Sequence, residues 1–225
     1  MSTRVAGTQP RSKVRAETVA RAALALVGSG GLESLTMRKL ATSLGVQLPT
    51  LYRLFENKQA LLDEMAETIT AGVSERVRFD GADWAENVTV FAREMRESLL
   101  AQRDGARIVG GSYVTKQHTM TLGDRTLAML DAAGFPEETA LWTLTTIFSY
   151  VLGETLEQQG ASGTEAETFT AALDPTAYPR LSIATIGRFL DFDGRFEFGL
   201  RVLVTGLRAE LGGGAQSIPS GSGSG

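Results

Sequence analysis

Apolar side chains recur every three or four residues along nearly the whole chain, and no segment alternates apolar with polar convincingly enough to read as a strand. Val19, Ala22, Ala23 and Leu26 share one face of a predicted helix that Ser12 is placed to cap and that runs to about Val27. Gly28, first of the Gly28-Ser29-Gly30-Gly31 group, is placed for the left-handed residue that closes many helices. Leu40, Ala41 and Leu44 then line a short helix beginning near Thr36, and Gly45 permits the positive φ of a sharp turn. A second short helix is expected from about Leu48, with Pro49 in its first turn and Leu51, Tyr52 and Phe55 facing inward. Leu62, Met65, Ile69 and Val73 predict a long amphipathic helix after Asn57. Gly81-Ala82-Asp83 breaks it, and Trp84, Val88, Phe91 and Met95 rebuild the stripe.

In the second half, Arg107 to Gly111 is short and ends in two glycines, so a helix there should stop or distort. A helix from about Thr115 to Ala133 ends at Gly134-Phe135-Pro136, and Pro136 suits the start of the next. That next stripe is Leu141, Leu144, Phe148, Val151, Leu152 and Thr155. Residues 160–178, rich in Gly, Ala, Thr and acids, read as a loop, and Leu181, Ile186, Phe189 and Leu190 as a shorter helix. The last helix carries Phe196, Leu200, Leu203, Leu207 and Leu211, with Phe198, Val202 and Val204 off that stripe. A helix apolar on more than one face is buried on more than one side, either as a central core helix or between its own bundle and a second subunit. The closing IPSGSGSG gives no reason to fold. The class is all-α.

Charge changes the picture. Residues 1–58 hold nine Lys/Arg and three Glu, a net of +6, whereas the remainder carries −10. A basic head on an acidic body suggests a polyanion-binding module joined to something that is not one. Two short helices with a Gly-containing turn make a helix-turn-helix, whose second helix can enter the major groove.

Composition narrows the rest. The 225 residues are 43% hydrophobic, enough for one or two domains with a core. With no cysteine there is no disulfide framework, thiolate metal site or cysteine nucleophile. No apolar run approaches a membrane span, and MSTRVAGTQPRSK lacks a signal-peptide core, so a soluble, cytoplasmic protein is expected. His118 is the single histidine and cannot build a His-rich metal site. No paired-carboxylate, nucleophile-elbow or phosphate-loop motif appears, so no enzyme is indicated. A helical enzyme or small-molecule-binding protein with a basic head stays open as the alternative to a DNA-binding regulator.

The segment TMRKLATSLGVQLPTLYRLFENKQALLDEM resembles the helix-turn-helix of the tetracycline-repressor (TetR-type) family. RDGARIVGGSY, GFPEETALWTL, VLGETLEQQ and FEFGLRVLVTGL are similar to matching stretches of its C-terminal domains, so the likeness covers roughly residues 12–212. It implies a ligand-responsive repressor that binds a palindromic operator as a homodimer. Residues 1–57 would form the DNA-binding domain, 58–212 the ligand-binding and dimerisation bundle, and 213–225 a disordered tail.

The resemblance also implies residue roles. Thr36, Arg38, Thr50, Tyr52 and Lys58 match DNA-contacting positions, and a guanidinium such as that of Arg38 can pair with guanine O6 and N7. Thr36 has a second candidate role as helix N-cap, and Tyr52 is read as half core and half phosphate donor. Gln47, Leu48 and Arg53, around Pro49, sit where the recognition helix varies and should set sequence preference. The ligand pocket is expected to use Phe91, Met95, Val109, Ser112, Tyr113, His118, Leu141, Leu144 and Phe148, the apolar ones being equally explicable as core. Val109 stands where the family's magnesium-binding members have a metal-ligating histidine. Glu157 survives at a position that supports the metal's water shell, but no metal or cofactor is expected. The ligand should be apolar or aromatic. Gly110-Gly111 lies where ligand binding would be relayed to the helix leading to the DNA heads.

Overall fold

A computed structural model describes residues 15–81, 83–112 and 115–213, and all regular structure among them is helical. Ser12, Tyr113 and the IPSGSGSG tail lie outside the described residues. The head comprises α1 (Ala16–Gly30), a 3₁₀ turn (Leu32–Ser34), α2 (Met37–Ser43) and α3 (Leu48–Tyr52), closed by the start of α4 (Lys58–Arg76). Val19, Ala23, Val27, Leu40, Leu51, Phe55 and Leu61 belong to its buried apolar side.

α1 does not close at Gly28. It runs on to Gly30, and Gly31 takes the left-handed φ of 76°, its N–H meeting the Val27 carbonyl at 2.7 Å. A long-range bond sets the stop: the Asp104 carboxylate takes the Leu32 N–H at 2.8 Å and anchors the 3₁₀ turn. Tyr52 is also not inward, being 49% exposed while Leu51 is fully buried. Helical geometry turns each residue about 100° from the last, so a five-residue helix that buries Leu51 must face Tyr52 outward. Phe55, one turn further on, returns to the core.

The body contains α5 (Trp84–Leu100), α6 (Gly105–Gly110), α7 (Gln117–Ala132), α8 (Glu137–Gly160), α9 (Glu165–Ala172), α10 (Ile183–Phe189) and α11 (Phe192–Gly213). The side chains of Asn57, Asp83 and Ser182 accept backbone N–H groups at the starts of α4, α5 and α10. α9 replaces part of the expected loop. The Glu165 carboxylate gathers the Ser162 N–H at 2.5 Å and the Gly163 N–H at 2.9 Å, and Phe169 packs edge-on against Phe189 of α10. In α8 the buried residues are Ala140, Thr143, Ile147, Val151 and Thr155; Val151 and Thr155 belong to the predicted stripe, whereas Leu144, Phe148 and Leu152 pack partly buried beside it.

α4 joins head to body, packing on α1 at one end and on α5, α6 and α7 along its length. α4 and α7 satisfy each other's open ends. The buried Glu67 of α4 accepts the N–H groups of His118 (2.6 Å) and Thr119 (3.2 Å) and the Thr119 hydroxyl (2.7 Å) at the start of α7. Arg125 of α7 donates to the Ser74 carbonyl (3.0 Å) and the Val77 carbonyl (2.8 Å) at the end of α4, with its guanidinium over the Phe79 ring. Among the described residues, no helix is long and apolar enough to cross a membrane.

Candidate nucleic-acid interface and ligand cavity

α2 and α3 are held at an angle by a turn in which Gly45 adopts φ 62° and the Val46 N–H bonds to the Ala41 carbonyl at 3.0 Å. Thr36 caps α2, its hydroxyl accepting the Lys39 N–H at 3.2 Å, yet the residue stays exposed. Arg38, Gln47, Pro49, Tyr52, Arg53 and Lys58 are exposed, and Leu48 and Thr50 are half-buried. The Arg53 guanidinium reaches the Thr50 hydroxyl only at 3.4 Å.

Arg38, Lys39, Arg53 and Lys58 have no ion-pair partner among the described residues. In the body, Arg76 pairs with Glu94, Arg93 with Glu197, Arg96 with Asp193, Arg195 with Glu154 and Glu157, and Arg208 with Asp83. The helix-turn-helix face thus presents solvated charge without ion-pair partners among the described residues: Arg38 and Lys39 in the first turn of α2, Arg53 at the end of α3 and Lys58 at the start of α4.

The second candidate site is a cavity of about 230 Å³ between α4, α5, α6, α7 and α8. Six of the residues expected there line it: Phe91 and Met95 of α5, Val109 of α6, Ser112, and Leu144 and Phe148 of α8. Leu141 is 49% exposed and takes no part, since it sits one turn nearer the start of α8, beyond the cavity. His118 is half-buried and does not line it; its backbone N–H is tied to Glu67. Ala66, Thr70, Thr119, Leu122, Gly123 and Thr145 complete the wall. Sequence reasoning missed these. The i, i+4 pairing of Ala66 with Thr70 was an available signal, but small and hydroxyl-bearing residues do not stand out in an apolar stripe.

Glu157 lies elsewhere. Arg195 grips its two carboxylate oxygens at 3.0 and 2.7 Å and holds its pKa below the usual carboxylate value. Among the described residues no three His, Asp or Glu side chains cluster as a metal site would require.

α6 links cavity and head. Val109 forms part of the cavity wall, and Gly110 lies against Leu152 of α8, where an added Cβ would approach a methyl to 2.9 Å. The next carbonyl, of Gly111, accepts from Gln59 in the first turn of α4 at 3.1 Å. At the other end of α6, Asp104 holds Leu32 and the Arg107 guanidinium meets Glu33 at 2.5 Å.

A helix-turn-helix carrying unpaired cations, joined by one long helix to a bundle with an apolar cavity, defines a DNA-binding regulator with a ligand-binding body. Comparison with known proteins makes the class specific. The family model described as bacterial regulatory proteins, tetR family, matches residues 20–65, and the tetracyclin repressor-like C-terminal domain matches residues 79–211. The chain belongs to the TetR family of transcriptional regulators, which are DNA-binding proteins and not enzymes. It is 39% identical over 199 residues to the class A tetracycline repressor protein from transposon 1721 of Escherichia coli, covering 87% of this chain and 91% of that one. A solved structure of a possible TetR family transcriptional regulator from Streptomyces coelicolor A3(2) is 38% identical with a TM-score of 0.79, covering 87% of this chain and all of that one. The Streptomyces coelicolor protein ActR, solved in complex with actinorhodin, is 29% identical with a TM-score of 0.77, covering 88% of this chain and 96% of the other.

Proposed function

We propose that this regulator binds a palindromic operator as a homodimer and releases it when a small, largely apolar or aromatic effector enters the α4–α8 cavity. The working division is residues 1–57 for DNA and 58–212 for effector and dimerisation. The observation that carries the DNA half is the set of exposed cations on α2, around α3 and at the start of α4, which have no ion-pair partner among the described residues and are presented by a helix-turn-helix. Thr36, Thr50, Tyr52 and Lys58 would position the head on phosphates, Arg38 would read a base, and Gln47, Leu48, Pro49 and Arg53 would set preference. Leu48, apolar at the start of α3, suits contact with a thymine methyl.

The effector half rests on the cavity's lining, which among the described residues has aromatic and aliphatic side chains and a few hydroxyls but no charged residue. With Val109 apolar and Glu157 held by Arg195, effector binding requires no divalent metal. A DNA-binding regulator of this design works in the cytoplasm, on operator DNA. The test begins with duplexes selected from a random pool, which should prove palindromic and bind with steep salt dependence. Release of that duplex by apolar compounds should then be unaffected by EDTA. Selection of no sequence would refute the operator, and release that vanishes with EDTA and returns with magnesium would refute the metal-free effector.

A further inference from the structure

We infer that Ser112 is the specificity-determining donor of the cavity, selecting neutral ligands with a hydrogen-bond acceptor, such as a ketone or quinone-type oxygen, on a flat apolar body. This rests on the cavity being the effector site. Four hydroxyl residues line the space, and three have their proton in use. Thr70 donates to the Ala66 carbonyl at 3.0 Å, Thr119 to the Glu67 carboxylate at 2.7 Å, and Thr145 to the Leu141 carbonyl at 3.0 Å. Ser112 Oγ is buried from solvent and has no hydrogen-bond partner among the described residues. A buried hydroxyl left unpaired is unfavourable, so a molecule that accepts from it gains more than the same contact would give in water.

The surroundings fix the rest of the ligand's chemistry. Among the described residues no cation faces the space to neutralise a carboxylate, and no carboxylate to neutralise an amine, so an ionised ligand would be desolvated without compensation. Phe91, Phe148, Met95 and Leu122 offer faces for a ring system. The free volume of about 230 Å³ suits a ligand of one or two rings in this conformation, and larger ones require the walls to part. Ser112 also directly follows Gly111, whose carbonyl is held by Gln59 at the start of α4, so a ligand that draws on Ser112 acts on the segment tied to the head's helix.

A matched pair of small probes tests this: 1-tetralone, which carries the ketone, and tetralin, which has a methylene in its place. Calorimetric titration of the full-length protein gives the ratio of their dissociation constants. Ser112→Ala should shift that ratio against the ketone by roughly five- to ten-fold, as expected for one hydrogen bond, whereas Ser112→Thr should leave it within about two-fold. A ratio unmoved by Ser112→Ala overturns the inference, as does a wild-type protein that binds neither probe. Gly123→Leu separates this from the reading beneath it, because an added Cβ at Gly123 meets nothing within 4 Å and the longer side chain fills the cavity from α7. Ketone binding that survives Gly123→Leu places the ligand elsewhere and refutes the cavity itself. Binding lost in Gly123→Leu but with a ratio indifferent to Ser112→Ala keeps the cavity and refutes only the role of Ser112.

Discussion

Arg38 illustrates how much a single exposed side chain can carry. It stands in the first turn of α2, exposed and without an ion-pair partner among the described residues. Arg38→Ala should weaken binding to the selected operator by about 1–3 kcal/mol and relax preference at one base pair, measured across a panel of single-base operator variants. Equal loss on every duplex would make Arg38 a phosphate contact instead. Glu165 gives a residue-scale prediction of another kind. The Ser162 N–H above all, then the Ser162 hydroxyl, hold its carboxyl down to about 2. A depressed carboxyl favours the ionised, folded turn, so its contribution is complete above the ordinary value near 4.5 and fades as pH falls through about 2. In an NMR titration the Ser162 and Gly163 amides should therefore shift together near pH 2, and movement centred near pH 4.5 would show the turn to be unoccupied in solution.

At the scale of elements, the mutual capping of α4 and α7 predicts that neither helix end is independent of the other. Glu67→Gln exchanges a carboxylate with three donors for a neutral amide and should cost about 1–3 kcal/mol of stability, with faster hydrogen exchange at His118 and Thr119. Arg125→Met should loosen the Ser74–Val77 end of α4 instead, and unchanged exchange there would discount the cap. Neither cap was legible in the sequence, because each joins residues about fifty positions apart through charges that look like ordinary solvated groups. Most helices were legible, since their apolar stripes repeat with the helical period and Thr36, Asn57 and Asp83 mark their starts. α9 was not, because one glutamate collecting backbone N–H groups and one aromatic contact make up its signal. The cavity was half legible for a related reason. Periodicity identified the inward aromatic and aliphatic residues, but only packing shows that Thr70, Thr119 and Thr145 share their space and that Leu141 does not.

At the scale of the whole molecule, the question is what the last helix does with its second apolar face. The sequence left two answers open, a central core helix or one shared with a second subunit. α11 buries Phe196, Leu200 and Val204 within its own bundle, yet leaves Phe198 62% and Val202 54% exposed. α8, which packs against it, exposes Trp142 at 60% and Leu156 at 44%. An exposed set of large apolar side chains on two packed helices is costly in water and marks a surface that associates. A second copy of the same face is the occupant that the proposed palindromic operator also calls for, since two-fold DNA requires two heads related by the same symmetry. Placing a charge in the centre of such an interface leaves it desolvated and unpaired, a penalty that falls on association and hardly on the fold. Phe198→Asp and Val202→Asp should therefore convert a dimer at micromolar concentration into a 24.0 kDa monomer in sedimentation, with helical circular dichroism unchanged. The monomer should bind a half-site duplex as well as the parent does, but lose affinity for the full operator by orders of magnitude, because the second head no longer binds as part of the same molecule. A wild-type protein that sediments as a monomer, or variants that remain dimeric, would show that α8 and α11 do not form the subunit contact.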